Sequence, residues 1–263
     1  MTFRIYPKVN IFLKIVGFEA GFHMLNSRFV LAQGSLYDEM CITQKDSFCI
    51  KGDFGCEIQE NLIFKAKCVL SEYLSQQGRE TLGLESLHIE VQKRIPQGAG
   101  LGGGSANAGA FLRGANEILS LGLREDELVG IAKYIGADVS FFASGLGSAN
   151  VSGKGERIES IQEDVLECEI YTPSLFCDTK RVYKAFADSI RDKSRQYSLP
   201  TTQWFCMESK EILESQPDVA ELNDLFESAC VCYPSLKDVA KELGKGWYFS
   251  GSGSSFFRLK GEE

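Results

Sequence analysis

The sequence predicts an α+β fold in two domains, residues 1–155 and 156–263. Three observations lead to this prediction. Short segments in which apolar and polar residues alternate, typical of strands, recur through the first part of the chain. Longer segments with helical periodicity lie among them. Beyond about residue 155 the pattern changes to one strand, several helices and a closing strand pair. At roughly 100–200 residues per domain, a chain of 263 residues accommodates two.

Alternation with turn residues at the ends predicts the strands of the first domain. These segments are Thr2–Phe18 (a strand or hairpin), Arg28–Gln33, Glu39–Gln44, Ser47–Gly52, Ser86–Lys93 and the Gly/Ser-rich stretch 145–161. Apolar residues spaced three and four apart predict helices over Asn61–Gly78, Ser105–Leu121 and Arg124–Ile135. On the strand that ends at Lys93, His88 falls on the polar face, so we expect its side chain at the surface.

The second domain is predicted to be mainly helical between short strands. We expect a strand over Glu169–Thr172, a helix over Asp178–Ile190, a polar connector over Ser194–Thr202, helices through most of 206–243, and a strand, turn and strand over Trp247–Lys260.

Charge and cysteine usage exclude several classes of protein. Lys and Arg number 28 against 36 Asp and Glu, a net charge of −8, which argues against a dedicated nucleic-acid binder but not against a small anionic ligand. The nine cysteines include no C-x-x-C, and the two histidines are far apart, so no zinc site is indicated. We expect free thiols that fill apolar space, a cytoplasmic location, and no membrane partner.

The strongest functional signal is the run PQGAGLGGGSAN at residues 96–107. Five of the seven residues 98–104 are glycine, and the run lies between a predicted strand and a predicted helix. Glycines there let the backbone approach a ligand closely, and the amides at a helix start favour negative charge. The run therefore predicts a phosphate-binding loop, although a merely flexible loop before a helix would also contain glycine.

Two familiar phosphate loops fit the run less well. A P-loop requires a lysine that the run does not have. Gly98, Gly100 and Gly103 match the dinucleotide fingerprint literally, with Glu117 or Glu125 at a tolerable distance, but polar residues separate the run from the preceding strand. A dinucleotide-dependent oxidoreductase therefore stays as an alternative.

The complete run resembles the phosphate loop of the galactokinase, homoserine kinase, mevalonate kinase and phosphomevalonate kinase (GHMP kinase) superfamily. YPKVNIFL at 6–13 resembles the first motif of that superfamily, and SGSGSS at 250–255 resembles its third. PKVNIFL at 7–13, GFH at 21–23, ENLI at 60–63 and GADVSFF at 136–142 further resemble the 4-diphosphocytidyl-2-C-methyl-D-erythritol kinases within it. The resemblance is strong over residues 5–143 and thin over 185–245.

This resemblance implies a fold and a function. The first domain would be an ATP-binding, ribosomal-protein-like α/β domain with a left-handed β-α-β unit, and the second a ferredoxin-like α/β sandwich. The reaction would be ATP-dependent phosphorylation of the 2-hydroxyl of 4-diphosphocytidyl-2-C-methyl-D-erythritol, a step of the methylerythritol phosphate (non-mevalonate) route to isoprenoids and terpenoids.

By the same resemblance, Asp138 is the base that accepts the hydroxyl proton, and Lys8 is its cationic partner. Asn10 lies one pleat beyond Lys8 and should face the same side, where it would contact the substrate. Taken without the family pattern, Asp138 would be a solvated residue at a helix start and Lys8 a solvated residue at a strand edge.

The remaining site residues are also implied by the resemblance. The ATP-binding set is Pro96, Gly98, Gly100, Leu101, Gly102, Gly103, Gly104, Ser105, Asn107, Asn61, Leu62, Ile63 and Lys93. The substrate-binding set is Asn10, Phe22, His23, Phe176 and Thr179. Phe22 replaces the usual tyrosine of the family. It would stack on the cytosine, with Phe176 on the second face, while His23 would hydrogen-bond to the base.

Cofactors and partners follow from the implied reaction. We expect ATP with Mg²⁺ and a small-molecule substrate. The ion would have no dedicated carboxylate pair, although Ser105 or Asp138 could reach it. The protein would be a monomer or weak homodimer. Besides the oxidoreductase, a homoserine or mevalonate kinase and a non-catalytic nucleotide-binding module stay as alternatives.

Overall fold

The computed structural model describes residues 1–215 and 218–261. Contacts divide the chain into two compact units, each made of three segments. Unit 1 contains Met1–Tyr6, Leu36–Ile95 and Gly102–Leu146; unit 2 contains Pro7–Ser35, Pro96–Leu101 and Gly147–Glu263. The domain boundary at 155/156 stays a prediction.

The described residues form 11 strands and nine α-helices. The strands are β1 (Thr2–Ile5), β2 (Lys8–Glu19), β3 (Phe22–Leu31), β4 (Asp38–Gln44), β5 (Cys49–Lys51), β6 (Leu87–Gln92), β7 (Ser148–Gly153), β8 (Arg157–Ser160), β9 (Cys168–Tyr171), β10 (Tyr248–Phe249) and β11 (Phe256–Leu259). The helices are α1 (Leu62–Gln76), α2 (Gly103–Ile118), α3 (Glu125–Ala132), α4 (Val139–Ser144), α5 (Thr179–Arg191), α6 (Ser209–Ser215), α7 (Val219–Leu222), α8 (Leu225–Cys232) and α9 (Ser235–Leu243).

Unit 1 contains a sheet whose strand order is β1-β4-β6-β5. β4 pairs antiparallel with β1 and β6, whereas β5 and β6 run parallel. Because α1 connects β5 to β6, these three elements form a β-α-β unit; its handedness stays a prediction. The chain then continues from β6 through the glycine run into α2, α3 and α4.

A close approach of α2 and α4 organises the helices of unit 1. A Cβ atom on Gly109 would lie 2.5 Å from Cβ of Phe142, well inside van der Waals contact. Phe111 and Phe141, on the same two helices, are both fully buried. Glycine at position 109 thus allows the two helix backbones to come close, which fixes α4 and the residue that precedes it.

Unit 2 contains two sheets. The first has the order β2-β3-β7-β8 and is antiparallel throughout. β2 and β3 form a hairpin with Ala20 and Gly21 at its turn, at φ of 49° and 85°. The second sheet has the order β10-β11-β9 and is also antiparallel. Helices α5 to α9 belong to this unit and follow one another without a strand between them. Strands and helices therefore alternate along only part of the chain. The predicted α+β class is confirmed.

Arg28 anchors an irregular segment of unit 2. Its side chain is fully buried. Nη2 donates to the carbonyl oxygen of Trp204 at 2.6 Å, Nη1 donates to that of Met207 at 3.1 Å, and Nε donates to Oδ1 of Asn150 at 2.7 Å. The carboxylate of Glu163, also buried, lies 3.6 Å from Nη1. The segment between α5 and α6 is therefore held on β3 and β7 by one guanidinium group.

Three predictions made at the level of elements are wrong in detail. β3 starts at Phe22, six residues before Arg28, because the hairpin turn extends its pairing with β2. His88 is buried rather than exposed: β6 is an inner strand, Thr43 of β4 and Cys49 of β5 lie beside His88, and Oε1 of Glu90 lies 3.6 Å from its Nδ1. All nine cysteines are free as expected, but Cys56, Cys68 and Cys206 are exposed and so do not fill the core.

Helix α2 starts at Gly103, two residues before the predicted start at Ser105. Gly102 precedes it in the left-handed region, at φ 69° and ψ 21°, and its carbonyl oxygen accepts from Ala106 N at 2.8 Å. Glycine has a low helix propensity, so the prediction from the sequence started the helix later, at Ser105. In the described residues, no helix has both the length and the apolar character needed to cross a membrane.

Candidate active site

Carbonyl groups of the glycine run in unit 2 are held by residues of the SGSGSS segment. Oγ of Ser250 donates to the carbonyl oxygen of Gly100 at 3.0 Å. The backbone N–H of Ser255 donates to the carbonyl oxygen of Ala99 at 3.1 Å. Two of the three segments that resemble superfamily motifs are therefore hydrogen-bonded to each other.

The carbonyl groups on either side of these two, those of Gly98 and Leu101, also accept hydrogen bonds. The N–H of Cys177 donates to the carbonyl oxygen of Gly98 at 3.1 Å, and the N–H of Lys8 donates to that of Leu101 at 3.0 Å. In a trans peptide the C=O and N–H groups point in opposite directions. The N–H groups that follow these carbonyls consequently point away from the protein donors, an arrangement suited to an anion.

Glycine is required sterically at two positions of the run. Gly98 and Gly100 have φ of 62° and 72°, in the left-handed region. A Cβ atom on Gly100 would lie 2.1 Å from the carbonyl oxygen of Ser250, and one on Gly98 would lie 2.3 Å from Cδ2 of Phe176. The run therefore packs its backbone directly against two other segments of unit 2.

Lys8 is the first residue of β2 and is almost completely buried. Its Nζ donates to Oδ1 of Asn10 at 2.6 Å and lies 4.7 Å from the ring centroid of Phe29. Nδ2 of Asn10 donates in turn to Oγ of Ser27, at 2.9 Å, and Ser27 donates to the carbonyl oxygen of Phe12. The expectation that Asn10 and Lys8 face the same side is confirmed, and the ammonium group is held by a chain of buried hydrogen bonds.

Thr179 of α5 and Asn223, which lies between α7 and α8, contact the SGSGSS segment. Oγ1 of Thr179 and Oγ of Ser252 are 2.9 Å apart, within hydrogen-bonding distance. Nδ2 of the buried Asn223 donates to the carbonyl oxygens of Phe249 and Gly251, at 2.9 and 3.0 Å. Thr179, predicted as a substrate contact, thus lies beside this segment.

His23 lies among aromatic rings in unit 2. Its ring centroid is 5.4 Å from that of Tyr183, 5.7 Å from that of Phe186 and 5.1 Å from that of Phe18, its cross-strand neighbour. Burial lowers the pKa of His23, which favours the neutral imidazole at pH 7. Nδ1 is one of two buried side-chain polar atoms in the described part of the chain that have no hydrogen-bond partner.

Phe22 and His23 face opposite sides of β3, because successive residues of a strand alternate. Phe22 is 52% exposed, and Nζ of Lys154 lies 4.0 Å from the centroid of its ring. Phe176 is 63% exposed and packs on Gly98. Both predicted stacking residues thus present accessible rings, while the stack itself stays a prediction.

In unit 1, the start of α2 is formed from bare backbone. A Cβ on Gly103 would lie 2.8 Å from Cγ2 of Ile95, so this residue packs on the segment that follows β6. Gly104 is exposed, and Ser105 is the third residue of the helix. Because Gly102 carries no side chain, it cannot cap the helix with a side-chain acceptor, and the first amides are suited to bind a phosphate.

Lys93 and Asn107, both predicted to bind ATP, converge on a buried carboxylate that sequence reasoning missed. Nζ of Lys93 donates to Oδ2 of Asp38 and, at 3.0 Å, to Oδ1 of Asn107. Nδ2 of Asn107 donates to the same oxygen of Asp38 at 2.9 Å. Asp38 does not belong to a recognisable motif. Nothing in the sequence around it indicates a contact with Lys93 or Asn107, which lie 55 and 69 positions later.

Asn61 precedes α1 and caps it, as predicted. Its Oδ1 accepts from the N–H of Ile63 at 2.8 Å. Ile63 is buried in the core, whereas Leu62 is half-buried and its Cδ1 would lie 3.6 Å from a Cβ on Gly104. Of the two apolar residues, Leu62 is therefore the one that lies beside the start of α2.

Asp138 is half-buried and immediately precedes α4. The turn before the helix is closed by the N–H of Val139, which donates to the carbonyl oxygen of Gly136 at 3.1 Å. The close contact of α4 with Gly109 on α2 fixes the position of this turn. A carboxylate at the end of a rigid helix is suited to orient or accept a proton.

No cluster of three or more His, Cys, Asp or Glu side chains that could hold a metal ion occurs in residues 1–215 and 218–261. The hydroxyl of Ser105 and the carboxylate of Asp138 are oxygen donors, the type that Mg²⁺ prefers. Such a donor set fits an ion that keeps several waters and binds largely through phosphate oxygens.

Sequence reasoning also missed Ser250, Asn223 and Tyr183, which contact the glycine run, the SGSGSS segment and His23, respectively. Ser250 could have been identified, because it lies in a recognised motif. Asn223 and Tyr183 lie in the helical part of the chain, where the sequence offers no comparable motif.

Comparison with known proteins agrees with this geometry. The family described as "GHMP kinases N terminal domain" matches residues 61–148. A 4-diphosphocytidyl-2-C-methyl-D-erythritol kinase of Helicobacter acinonychis is 44% identical, and the match covers 98% of this chain and 96% of that protein. Proteins of the same name from Sulfurimonas denitrificans and Campylobacter jejuni are 42% and 38% identical, over 99% and 97% of this chain and 97% and 99% of theirs.

Solved structures give the same result. A crystal structure of 4-(cytidine 5'-diphospho)-2C-methyl-D-erythritol kinase matches with a TM-score of 0.76 and 30% identity, over 98% of this chain and 90% of that one. A homoserine kinase from Cytophaga hutchinsonii shares the fold, with a TM-score of 0.62 and 17% identity over 100% and 85% of the two chains.

The literal match to a dinucleotide fingerprint is not supported by the topology, because α2 leads into α3 and α4 and not into another parallel strand. The loop geometry, the motifs that surround it and the full-length similarity to named kinases agree. The chain therefore belongs to the 4-diphosphocytidyl-2-C-methyl-D-erythritol kinase family of the GHMP kinases.

Proposed function

We propose that this chain transfers the γ-phosphoryl group of ATP to the 2-hydroxyl of 4-diphosphocytidyl-2-C-methyl-D-erythritol. The observation that carries the proposal is the glycine run, whose successive carbonyls accept from Cys177, Ser255, Ser250 and Lys8. With the carbonyls engaged in this way, the following N–H groups point away from these donors and can bind the phosphates of ATP. The relatives that cover nearly the whole chain carry the name of this activity.

Phosphoryl transfer depends on positioning and charge more than on covalent chemistry. In the proposed mechanism, Asp138 accepts the proton of the substrate hydroxyl as the oxygen attacks the γ-phosphorus. The ammonium of Lys8, held by Asn10, stabilises the negative charge that develops on this oxygen. Mg²⁺, when bound with ATP, offsets charge on the phosphates, and Ser105 or Asp138 would supply its protein ligand.

The substrate would be selected through its cytidine end. We assign base stacking to the exposed rings of Phe22 and Phe176, and hydrogen bonding to His23. Because burial lowers the pKa of His23, the imidazole presents one acceptor and one donor rather than two donors. Thr179, which pairs with Ser252, is assigned to the same substrate. A cytoplasmic location and a monomeric or weakly dimeric state stay predictions.

The test is ADP release from Mg-ATP by the purified protein. We expect release that requires 4-diphosphocytidyl-2-C-methyl-D-erythritol, is absent with homoserine or mevalonate, and is lost in Asp138→Asn. Asp126→Asn is a matched control, because Asp126 is an exposed carboxylate of unit 1 that pairs with Arg124. Release with homoserine or mevalonate instead would identify another kinase of the superfamily. ATP binding with no release, unaffected by Asp138→Asn, would identify a binding module and refute the proposal.

A further inference from the structure

The carboxylate of Asp38 is fully buried and accepts from four donors of unit 1. Its Oδ1 accepts from the backbone N–H groups of Arg94 and Ile95, at 2.7 and 2.9 Å. Its Oδ2 accepts from Nζ of Lys93 and from Nδ2 of Asn107. Burial of a carboxylate costs free energy unless the group is paired and hydrogen-bonded. This complete set of partners therefore indicates a specific role.

The four donors lie at the two ends of the glycine run in the sequence. Lys93, Arg94 and Ile95 come directly before it, and Asn107 is both its last residue and the fifth residue of α2. One carboxylate on β4 therefore fixes the segment that precedes the run and the first turns of the helix in which the run ends. Ile95 also packs on Gly103, which ties the same two segments together.

The ammonium of Lys93 is placed by these contacts at the start of α2. A Cβ on Gly103 would lie 3.4 Å from Nζ of Lys93. The ammonium is ion-paired with the carboxylate of Asp38, so this pair adds little net charge; it places the N–H donors of Lys93 beside the partial positive charge of the helix N-terminus. These donors and the first amides of the helix can bind an anion together, and the lysine stays there because Asp38 and Asn107 hold it.

We propose that Asp38 is a positioning residue for ATP in the proposed kinase reaction: it holds Lys93 at the start of α2 and sets the geometry of the phosphate-binding backbone. Asp38 acts through Lys93 and Asn107 and does not touch the nucleotide. This inference rests on the proposed function, since it assigns the residue to the ATP side of that reaction.

Asp38→Asn tests the proposal with little change in shape. The remaining oxygen can still accept from the N–H groups of Arg94 and Ile95. The new NH₂ group, however, faces Lys93 and Asn107, where donor would meet donor. We expect the Kd and KM for ATP to rise at least about tenfold, since hydrogen bonds to charged groups have that weight, and the KM for the cytidylyl substrate to stay within about twofold.

The coupling to Lys93 provides a readout that a purely structural role would not change. In a double-mutant cycle, Asp38→Asn should weaken ATP binding by less than about twofold when introduced into Lys93→Gln, because the charge that it holds is already absent. Independent effects that multiply would refute the proposal. Glu163→Gln is the control, because this carboxylate of unit 2 is also buried and accepts from hydroxyl and backbone donors. Its loss should lower Tm and should not raise the KM for ATP relative to the KM for the cytidylyl substrate.

Two further measurements keep the test decisive. If Asp38→Asn does not fold, Asn107→Ala removes one donor only, and we expect a smaller rise in the Kd for ATP; an unchanged Kd would overturn the proposal. The Kd is measured by equilibrium titration with ATP and needs no turnover. Failure of the kinase assay in the wild-type protein would therefore refute the proposed function, while a changed Kd in Asp38→Asn would still support the positioning role.

Discussion

The side-chain hydroxyl of Ser250 donates to the carbonyl oxygen of Gly100 at 3.0 Å, although the two residues are 150 positions apart in the sequence. The two backbones also lie close together, since a Cβ on Gly100 would lie 2.1 Å from the carbonyl oxygen of Ser250. The shape of the glycine run is thus determined by the segment near the C-terminus as well as by its own sequence.

Gly100→Ala should therefore weaken ATP binding by more than about tenfold. The new Cβ would meet backbone, which cannot move aside as a side chain can, and alanine at a φ of 72° is itself strained. The measurement is the Kd for ATP by titration. Gly130→Ala is the control, because a Cβ there meets open space in α3 and should raise Tm slightly. Equal effects of the two substitutions would contradict this account.

Asn10→Ala should lower kcat by roughly ten- to hundredfold and change the KM for ATP little. Asn10 accepts from Nζ of Lys8 at 2.6 Å, so its removal takes away one hydrogen bond that positions the ammonium, and misplacement of a reacting group lowers the rate. Lys8→Met should abolish turnover. Steady-state kinetics of the two variants check this. A kcat of wild-type size in Asn10→Ala would show that Lys8 does not need this partner.

Gly109→Ala should destabilise unit 1 and reduce turnover together. The added Cβ would lie 2.5 Å from Cβ of Phe142, so α2 and α4 must move apart, and overpacking of this kind costs about 1–3 kcal/mol. Asp138 precedes α4 and would move with it. Thermal unfolding gives the change in Tm, and ADP release gives kcat. A stable variant with normal kcat would show that the helices can separate without displacing Asp138.

His23 should make stability depend on pH in the mildly acidic range. Burial lowers the pKa of His23 in the folded protein below its ordinary value of 6.5. Above pH 6.5 the imidazole is neutral in both states and contributes nothing. As the pH falls through 6.5 the unfolded chain takes up a proton that the folded chain does not, so stability decreases until the lower, folded pKa is reached.

Replacement by phenylalanine, which preserves ring packing on Tyr183, should remove this decrease. Tm is measured between pH 5 and 8 for the wild type and for His23→Phe. We expect the two curves to diverge below about pH 6.5, where the wild type loses stability faster. Parallel curves over this range would mean that His23 titrates equally in the folded and unfolded chain.

Local pattern was sufficient to predict most of the elements. The helix at Asn61 was predicted from periodicity and a cap, and the structure has α1 with this residue as its cap. The start of α2 was predicted wrongly, because propensity disfavours glycine while the close approach of Ile95 requires it. His88 was misplaced for a related reason: alternation identifies the face of a strand but not which strands lie beside it.

Most of the candidate site was predicted where a segment resembles a known motif. Lys8, Asn10 and the glycine run belong to such segments, and the structure joins them by hydrogen bonds. Asp38 and Asn223 do not belong to them. Their importance arises from contacts between residues far apart in the sequence, and a single sequence contains no record of those distances.

The anchor at Arg28 has a consequence for how this protein can vary. Two of its partners are the carbonyl oxygens of Trp204 and Met207, and any amino acid supplies such an oxygen. The attachment can therefore be preserved when exposed side chains of the surrounding segment change, whereas the ring of Trp204 is itself buried against Phe12. A segment held through its backbone carbonyls can keep its conformation while its sequence changes, and for that reason a motif is hard to recognise there.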